Sequence, residues 1–339
     1  MSPPSCWIRA HDDYAGVTFS HTPDRIFMGW ATYPRYAEDT PTGEYCCTMT
    51  LPRRLSLADT PKGGLRLAAM PAVWAYESAP QEGLALSREL FCVKARGRVP
   101  PPSGWKMAGD SIWTLASMRP ERSFWTAPRQ APWIFNPDFG APRFSQLAAS
   151  RFYEGAWELE LHFDRSICEL YADGGTLVLH PGSLPGRALH PGNGGPGPGP
   201  GGGLRCPVTH TTHRRKDILM STQGIRNFRP EIHFTPEKGW INDPNGLVYV
   251  NGEYHVFAQY SVEPIWGPMH WCHAVSRDLI HWQELPVALY PDKLGAAFSG
   301  SAVYDKENVT GLGTRENPPL VAMYTSHSHM EQQSLAASN

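Results

Sequence analysis

The chain has 339 residues, enough for two domains, with 18% charged residues and a formal net charge of −2. That balance supplies no basic footprint for nucleic acid or for an anionic membrane surface. No stretch is apolar for long enough to span a bilayer as a helix. The segment Met1 to Tyr14 lacks the apolar core of a signal peptide. The expected setting is the cytoplasm, with secretion as the alternative if a leader was lost. The 7 cysteines include no Cys-x-x-Cys pair, and the adjacent Cys46 and Cys47 cannot easily bridge each other. Free, mostly buried thiols in a reducing compartment are expected. The 12 Trp, 13 Tyr and 13 Phe offer flat faces for sugar rings or, equally, for a core.

In the first half, Trp157, Leu159, Leu161 and Phe163 alternate with Glu158, Glu160, His162 and Asp164. This is the period-2 pattern of a half-buried strand. Asp173-Gly174-Gly175 supplies a turn, and Thr176–Leu179 returns as a strand, a hairpin suited to a β-sandwich. Residues 181–203 are dense in Pro and Gly and read as a flexible boundary. Cys206, His210 and His213 follow with metal-like spacing, but no fourth ligand is near and the segment reads as linker.

After the boundary, Leu247–Val250 and Tyr254–Tyr260 flank Asn251-Gly252, the strongest short hairpin signal because both residues tolerate positive φ. Strands are expected again at His270–Ser276 and His281–Glu284, completing one propeller-blade unit, and at Ser299–Tyr304 and Leu320–Thr325, opening a second. No long stretch has helical periodicity.

The chemistry concentrates in Trp240-Ile241-Asn242-Asp243-Pro244-Asn245-Gly246. By itself Asn-Asp-Pro-Asn-Gly is a good turn, with Pro244 and Gly246 fixing a tight bend that aims Asp243. Its surroundings change the reading. They are Arg229 to Trp240, Phe257-Ala258-Gln259-Tyr260, Trp266 to Ser276, Arg277-Asp278-Leu279-Ile280-His281-Trp282 and Phe298-Ser299-Gly300-Ser301. Together these segments resemble the opening of the catalytic domain of glycoside hydrolase family 32, the invertases, levanases and inulinases. The stretch from Asn317 to Tyr324 looks most like the levanase and exo-inulinase branch.

The resemblance implies an all-β fold, a five-bladed propeller plus a β-sandwich, and retaining hydrolysis of β-fructofuranosides without cofactor or metal. It makes Asp243 the nucleophile. It places Asn242, Gln259, Trp266, Phe298 and Ser299 around the terminal fructose of a fructose-containing oligo- or polysaccharide. Amide groups suit a fan of hydroxyls, and an indole suits the apolar sugar face. Trp271 is expected in the core.

Residues 12–180 resemble the other end of the same family: Asp13-Tyr14-Ala15, Arg25 to Trp30, Tyr36 to Thr42, Met49 to Leu57, and Leu161 to Gly174. Pro34 stands where the family usually has a site-facing Trp. The family's Arg-Asp-Pro and Glu-Cys motifs, which carry the transition-state stabiliser and the acid/base, do not occur. A retaining glycosidase needs two carboxyl groups about 5–5.5 Å apart, so impaired or absent activity is expected.

Circular permutation would keep every piece, so a junction of a C-terminal part with an N-terminal part is the simpler account. Arg214-Arg215 ahead of Met220 fits a translated spacer whose codons could spell a ribosome-binding sequence; an ordinary basic linker is the other reading. The expected organisation is a last-blade remnant over 12–57, a sandwich over 58–180, a disordered linker over 181–224, and blade one with part of blade two over 225–339. Unpaired β edges seek partners, so the 13–57 strands are expected to dock on blade one. An incomplete propeller joined by a Pro/Gly-rich linker to the sandwich is the fold reading, and a non-catalytic carbohydrate-binding remnant is the rival function.

Overall fold

A computed structural model of the protein describes residues 13–40, 42–73, 151–179 and 228–338. It also gives the strands Ser78–Pro80, Leu90–Gly97, Trp105–Ala108, Thr114–Leu115, Arg122–Thr126, Gln146–Ser150, His190–Pro191 and Pro207–Thr209. The described chain is all-β; its one helical element is the 3-10 turn Ala37–Asp39. No helix among the described residues is long and apolar enough to cross a membrane. Two compact units are present: residues 1–12, 56–70 and 74–231 form one, and residues 13–55, 71–73 and 232–339 form the other.

The second unit holds the motif-bearing segment. Its main sheet runs, in order, Gln283–Leu289, His270–Ser276, Glu253–Ser261, Gly239–Val250 and Tyr45–Cys46. The first four are antiparallel neighbours in sequence order, as a blade requires. The Asn-Gly hairpin forms as the residue types dictate: Val250 pairs with Glu253, and Asn251 and Gly252 take φ of 52° and 87°. A second sheet contains Ala296–Tyr304, Leu320–His327 and Glu331–Ala337 in meander order. Its third strand extends the two-strand expectation.

One expected strand is displaced. The reading placed a strand from His281, whereas the structure starts it at Gln283. The Asp278 carboxylate accepts the backbone N–H groups of Ile280 and His281 at 3.0 and 2.8 Å. It thereby holds a turn where the strand would begin.

The expected docking of the N-terminal strands occurs within this unit. Tyr45–Cys46 pairs in parallel with Gly239–Trp240, and Ser20 bridges to Val248. Tyr14–Thr18 pairs with Ile26–Trp30, which pairs with Arg53-Arg54. One core joins both stretches: Phe19, Ile26, Met28, Trp30 and Met49 pack with Trp240, Ile241, Leu247, Val256 and Met269. Burial of this apolar set stabilises at roughly 25 cal/mol per Å². The Trp30 and Trp240 rings lie 5.9 Å apart. Asp13 and Arg53 form a fully buried ion pair beside it.

Among the described residues, two sheets lie wholly within the first unit. One runs Leu177–Leu179, Ile167–Ala172, Trp157–Asp164, Leu90–Gly97, Pro207–Thr209 and Ser78–Pro80; the other runs Gln146–Ser150, Arg122–Thr126, Thr114–Leu115, Trp105–Ala108 and His190–Pro191. The strands His190–Pro191 and Pro207–Thr209 fall within the segment read as linker. The rest of 181–224, including His210 and His213, lies outside the described residues. The Trp157–Asp164 strand corrects one expectation. Of its polar face only Glu158 is exposed: Glu160, His162 and Asp164 are as buried as Leu159 and Phe163.

Candidate active site

The local structure of the motif differs from the bend read in the sequence. Gly239–Val250 is one continuous strand through Asn-Asp-Pro-Asn-Gly. Asn242 pairs with Gln259 and Pro244 with Ala258, so Asp243 is the extra residue of a β-bulge. Its φ is +30°, uncommon for a side-chain-bearing residue. A second irregularity falls between Asn245 and Val248. Gly246 within it has φ +51°, and a Cβ there would lie 2.7 Å from the Cβ of Ala302. Pro244 fits a bulge because a bulge tolerates a residue without an N–H. Asp243 is therefore aimed by a ladder defect rather than by a chain reversal.

The neighbouring sheet meets the bulge. Ser299 Oγ donates to Asp243 Oδ2 at 3.0 Å, and the Gly300 N–H donates to Asn245 Oδ1 at 3.1 Å. Trp240 Nε1 donates to Asn242 Oδ1 at 2.7 Å, and Gln259 Nε2 donates to the Ala297 carbonyl at 2.9 Å. Each bond commits one end of an amide to the protein. Asn242 keeps Nδ2 as a donor and Gln259 keeps Oε1 as an acceptor for a ligand.

The aromatic residues follow. Trp266 is 52% exposed, its backbone N–H is held by Glu38 Oε1 at 3.1 Å, and its ring meets the edge of Phe298 at 6.2 Å. Phe298 stacks flat on His327, with ring centroids 4.0 Å apart and 10° between planes. Trp271 is fully buried, and its Nε1 donates to the Phe298 carbonyl at 3.0 Å. It supports the Phe298–Ser299 backbone from the core, as its expected role requires.

The structure thus links Asp243 to Ser299, Asn242 to Gln259, and Trp266 to Phe298, with Phe298 and Ser299 adjacent in the chain. Two contributors carried no signal in the reading. His327 backs Phe298, and Glu38 steadies Trp266 from 228 residues away in sequence. Only the fold brings Glu38 there. Among the described residues, Ser299 supplies Asp243 with a hydroxyl. The arrangement can present one carboxylate to an electrophilic carbon between polar groups and an exposed indole face.

The model of the glycosyl hydrolases family 32 N-terminal domain matches residues 7–69 and 233–339. These two stretches make up half of the chain and nearly coincide with the second unit. The chain belongs to glycosyl hydrolase family 32. A levanase of Bacillus subtilis is 58% identical over 125 residues, covering 36% of this chain and 18% of the levanase. An invertase of Schizosaccharomyces pombe is 51% identical over 108 residues, covering 29% of this chain and 19% of the invertase. Among solved structures, the exo-inulinase of Aspergillus awamori is 44% identical at a TM-score of 0.30, over 32% of this chain and 25% of that one. The chain spans less than a fifth of the length of these two family 32 relatives.

Proposed function

We propose that the Asp243 site is the nucleophile half of a β-fructofuranoside-hydrolysing centre. In this reading Asp243 attacks the anomeric carbon of a terminal fructosyl unit of sucrose, levan or inulin. Ser299 holds the carboxylate oriented, Asn242 and Gln259 receive sugar hydroxyls, and Trp266 and Phe298 flank the apolar face. The observation that carries the reading is the bulged Asp243 carboxylate, bonded by Ser299, on the strand pair where Asn242 and Gln259 each keep one amide end available.

The departing alkoxide needs a proton, and a positioned general acid contributes about 10²–10⁴-fold. The sequence has neither Glu-Cys nor Arg-Asp-Pro, so turnover of natural substrates is expected to be weak or absent. Missing members of a catalytic set are not compensated additively by those that remain. The same observation favours a second reading, a fructan-binding protein that does not turn over. The buried free thiols Cys46, Cys47, Cys92, Cys168 and Cys272 support a reducing, cytoplasmic setting.

The experiment is hydrolysis of sucrose, inulin and levan by the purified chain beside Asp243→Ala, together with an aryl β-fructofuranoside that needs less acid assistance. A fructosyl ester on Asp243 from the aryl substrate, with little sucrose turnover, is the expected result. Sucrose turnover at the rate of an intact relative would show that another carboxyl group supplies the proton. Sugar binding with no ester from any substrate would leave the binding-protein reading.

A further inference from the structure

The first unit carries a polar cluster that the glycosidase reading does not use. Trp157–Asp164 pairs antiparallel with Leu90–Gly97, with His162 opposite Cys92 and Glu160 opposite Lys94. Residues two apart on a strand share a face, so Glu160, His162, Cys92 and Lys94 project from the same side. That side is closed: Cys92 is 1% exposed, His162 0% and Glu160 6%.

The contacts converge on one atom. His162 Nε2 lies 2.7 Å from Glu160 Oε1 and 3.8 Å from Cys92 Sγ. One donor atom from each of the three residues falls within 4.8 Å of the other two. We propose that Cys92, Glu160 and His162 form a binding site for a thiophilic divalent cation of the zinc class.

Geometry and charge both favour it. Zinc bonds of about 2.3 Å to sulfur and about 2.0–2.1 Å to nitrogen, at tetrahedral angles, put the two atoms roughly 3.6 Å apart. The observed 3.8 Å between sulfur and nitrogen is already close. The nitrogen–oxygen pair, now a hydrogen bond, must open by roughly half an ångström to reach tetrahedral spacing. A thiolate and a carboxylate bring two negative charges, which neutralise a divalent ion where an uncompensated charge would be costly.

The surrounding groups fit an outer shell. Lys94 Nζ pairs with the other carboxylate oxygen of Glu160, Oε2, at 2.8 Å, so Oε1, which now meets His162, is the oxygen that turns to a metal. Glu169, opposite His162 on the next strand, accepts the Tyr171 hydroxyl. The Tyr171 ring stands edge-on to the imidazole at 5.6 Å. A sulfur–nitrogen–oxygen donor set selects zinc-like ions over calcium or magnesium, which take oxygen ligands. Three protein ligands leave the fourth tetrahedral position to a water, and the ion cross-links three neighbouring positions on two paired strands.

The test uses the full chain freed of metal, titrated with cobalt(II) as a spectroscopic stand-in and then with zinc(II). Expected are one equivalent of cobalt, a thiolate-to-cobalt charge-transfer band, and displacement of that cobalt by zinc. Cys92→Ser should remove the band, and His162→Ala and Glu160→Gln should weaken binding, the His loss by at least ~100-fold. Cys206→Ser, on the other segment with metal-like spacing, should change nothing.

A readout on the unmodified chain guards against variants that fail to fold. In mild denaturant, cobalt should slow alkylation of Cys92, mapped by mass spectrometry, without slowing alkylation of Cys46 or Cys272. A charge-transfer band that persists in Cys92→Ser, absence of any band in the folded wild type, or equal alkylation of Cys92 with and without cobalt would overturn the site.

Discussion

Two polar constellations lie in this chain, and they are built in opposite ways. Around Asp243 each polar group has one end fixed by the protein and one end available: Asn242 by Trp240, Gln259 by the Ala297 carbonyl, Asp243 by Ser299. Around His162 the groups are turned towards one another and shut away from solvent. Both depend on the strand period of two residues. A bulge breaks that period at Asp243 and pushes a carboxylate out of the ladder. Where the period runs unbroken through Glu160 and His162, the side chains stay in line and meet their cross-strand neighbours. An open site and a closed one thus differ by one extra residue in a strand and by what covers the face.

The comparison breaks most sharply at Asp243. Asp243→Ala is expected to abolish fructosyl-ester formation entirely, read by intact-mass spectrometry after exposure to an aryl β-fructofuranoside. The fold should be kept, because the bulge is set by backbone register. An ester that persists would move the nucleophile elsewhere.

Next comes the leaving group. On the proposed reading, the aryl substrate should react faster than sucrose by about 10²–10⁴-fold beyond the ratio seen for an intact family member, the usual contribution of a general acid. Parallel rates for both substrates in a stopped assay check this. A normal ratio would place an acid near Asp243.

Arg53 sharpens the contrast by testing a polar pair that serves the fold. Arg53 and Asp13 are both fully buried and paired. Arg53→Ala leaves an unpaired buried carboxylate and should cost about 3–5 kcal/mol, measured by denaturant unfolding of the second unit. A loss below 1 kcal/mol would mean that water reaches Asp13.

The most gradual effect is the response to acid. His255 and His273 stack in the first blade, with 3.0 Å between His255 Nδ1 and His273 Nε2. Burial lowers both, His273 to about 4 with help from the neighbouring His255. Well above about pH 6.5 both are neutral whether folded or unfolded, and their contribution to stability is fully present. As pH falls from there towards about 4 the unfolded chain binds protons first. Stability then drops by up to about 1.4 kcal/mol per pH unit for His273. A second, lower window belongs to Asp278. Burial alone would raise its carboxyl, but hydrogen bonds from His281 and the backbone hold it at about 2. That stabilisation is lost only as the pH falls below about 3.8. Unfolding midpoints across pH 3 to 8, with His273→Phe as control, separate the two. A midpoint flat from pH 7 to 5 would contradict the histidine assignment.

Much of the second unit was legible residue by residue. Asn251-Gly252 could only be a tight hairpin, because few residue pairs accept two positive φ angles. Trp271 belonged to the core and lies there. The hairpin register alone would set Gln259 opposite Pro244; two register shifts, one of them the bulge at Asp243, bring Asn242 opposite it instead. The pentapeptide at Asp243 was misread as a bend because Asn, Asp, Pro and Gly favour turns in isolation. The ladder on both sides overrode that preference.

The sequence by itself determined the Asn251-Gly252 hairpin, the all-β class and the kinship of the Asp243 segment, since these rest on residue types and on spacing within a few positions. Only the tertiary structure decided what distant segments do to one another. It laid Tyr45–Cys46 along Gly239–Trp240 and brought Glu38 to the Trp266 backbone. It also buried a face whose alternating charges had read as solvated, setting Cys92 opposite His162. Such contacts join residues far apart in the chain, and their energy comes from burial and pairing that no local window of sequence contains.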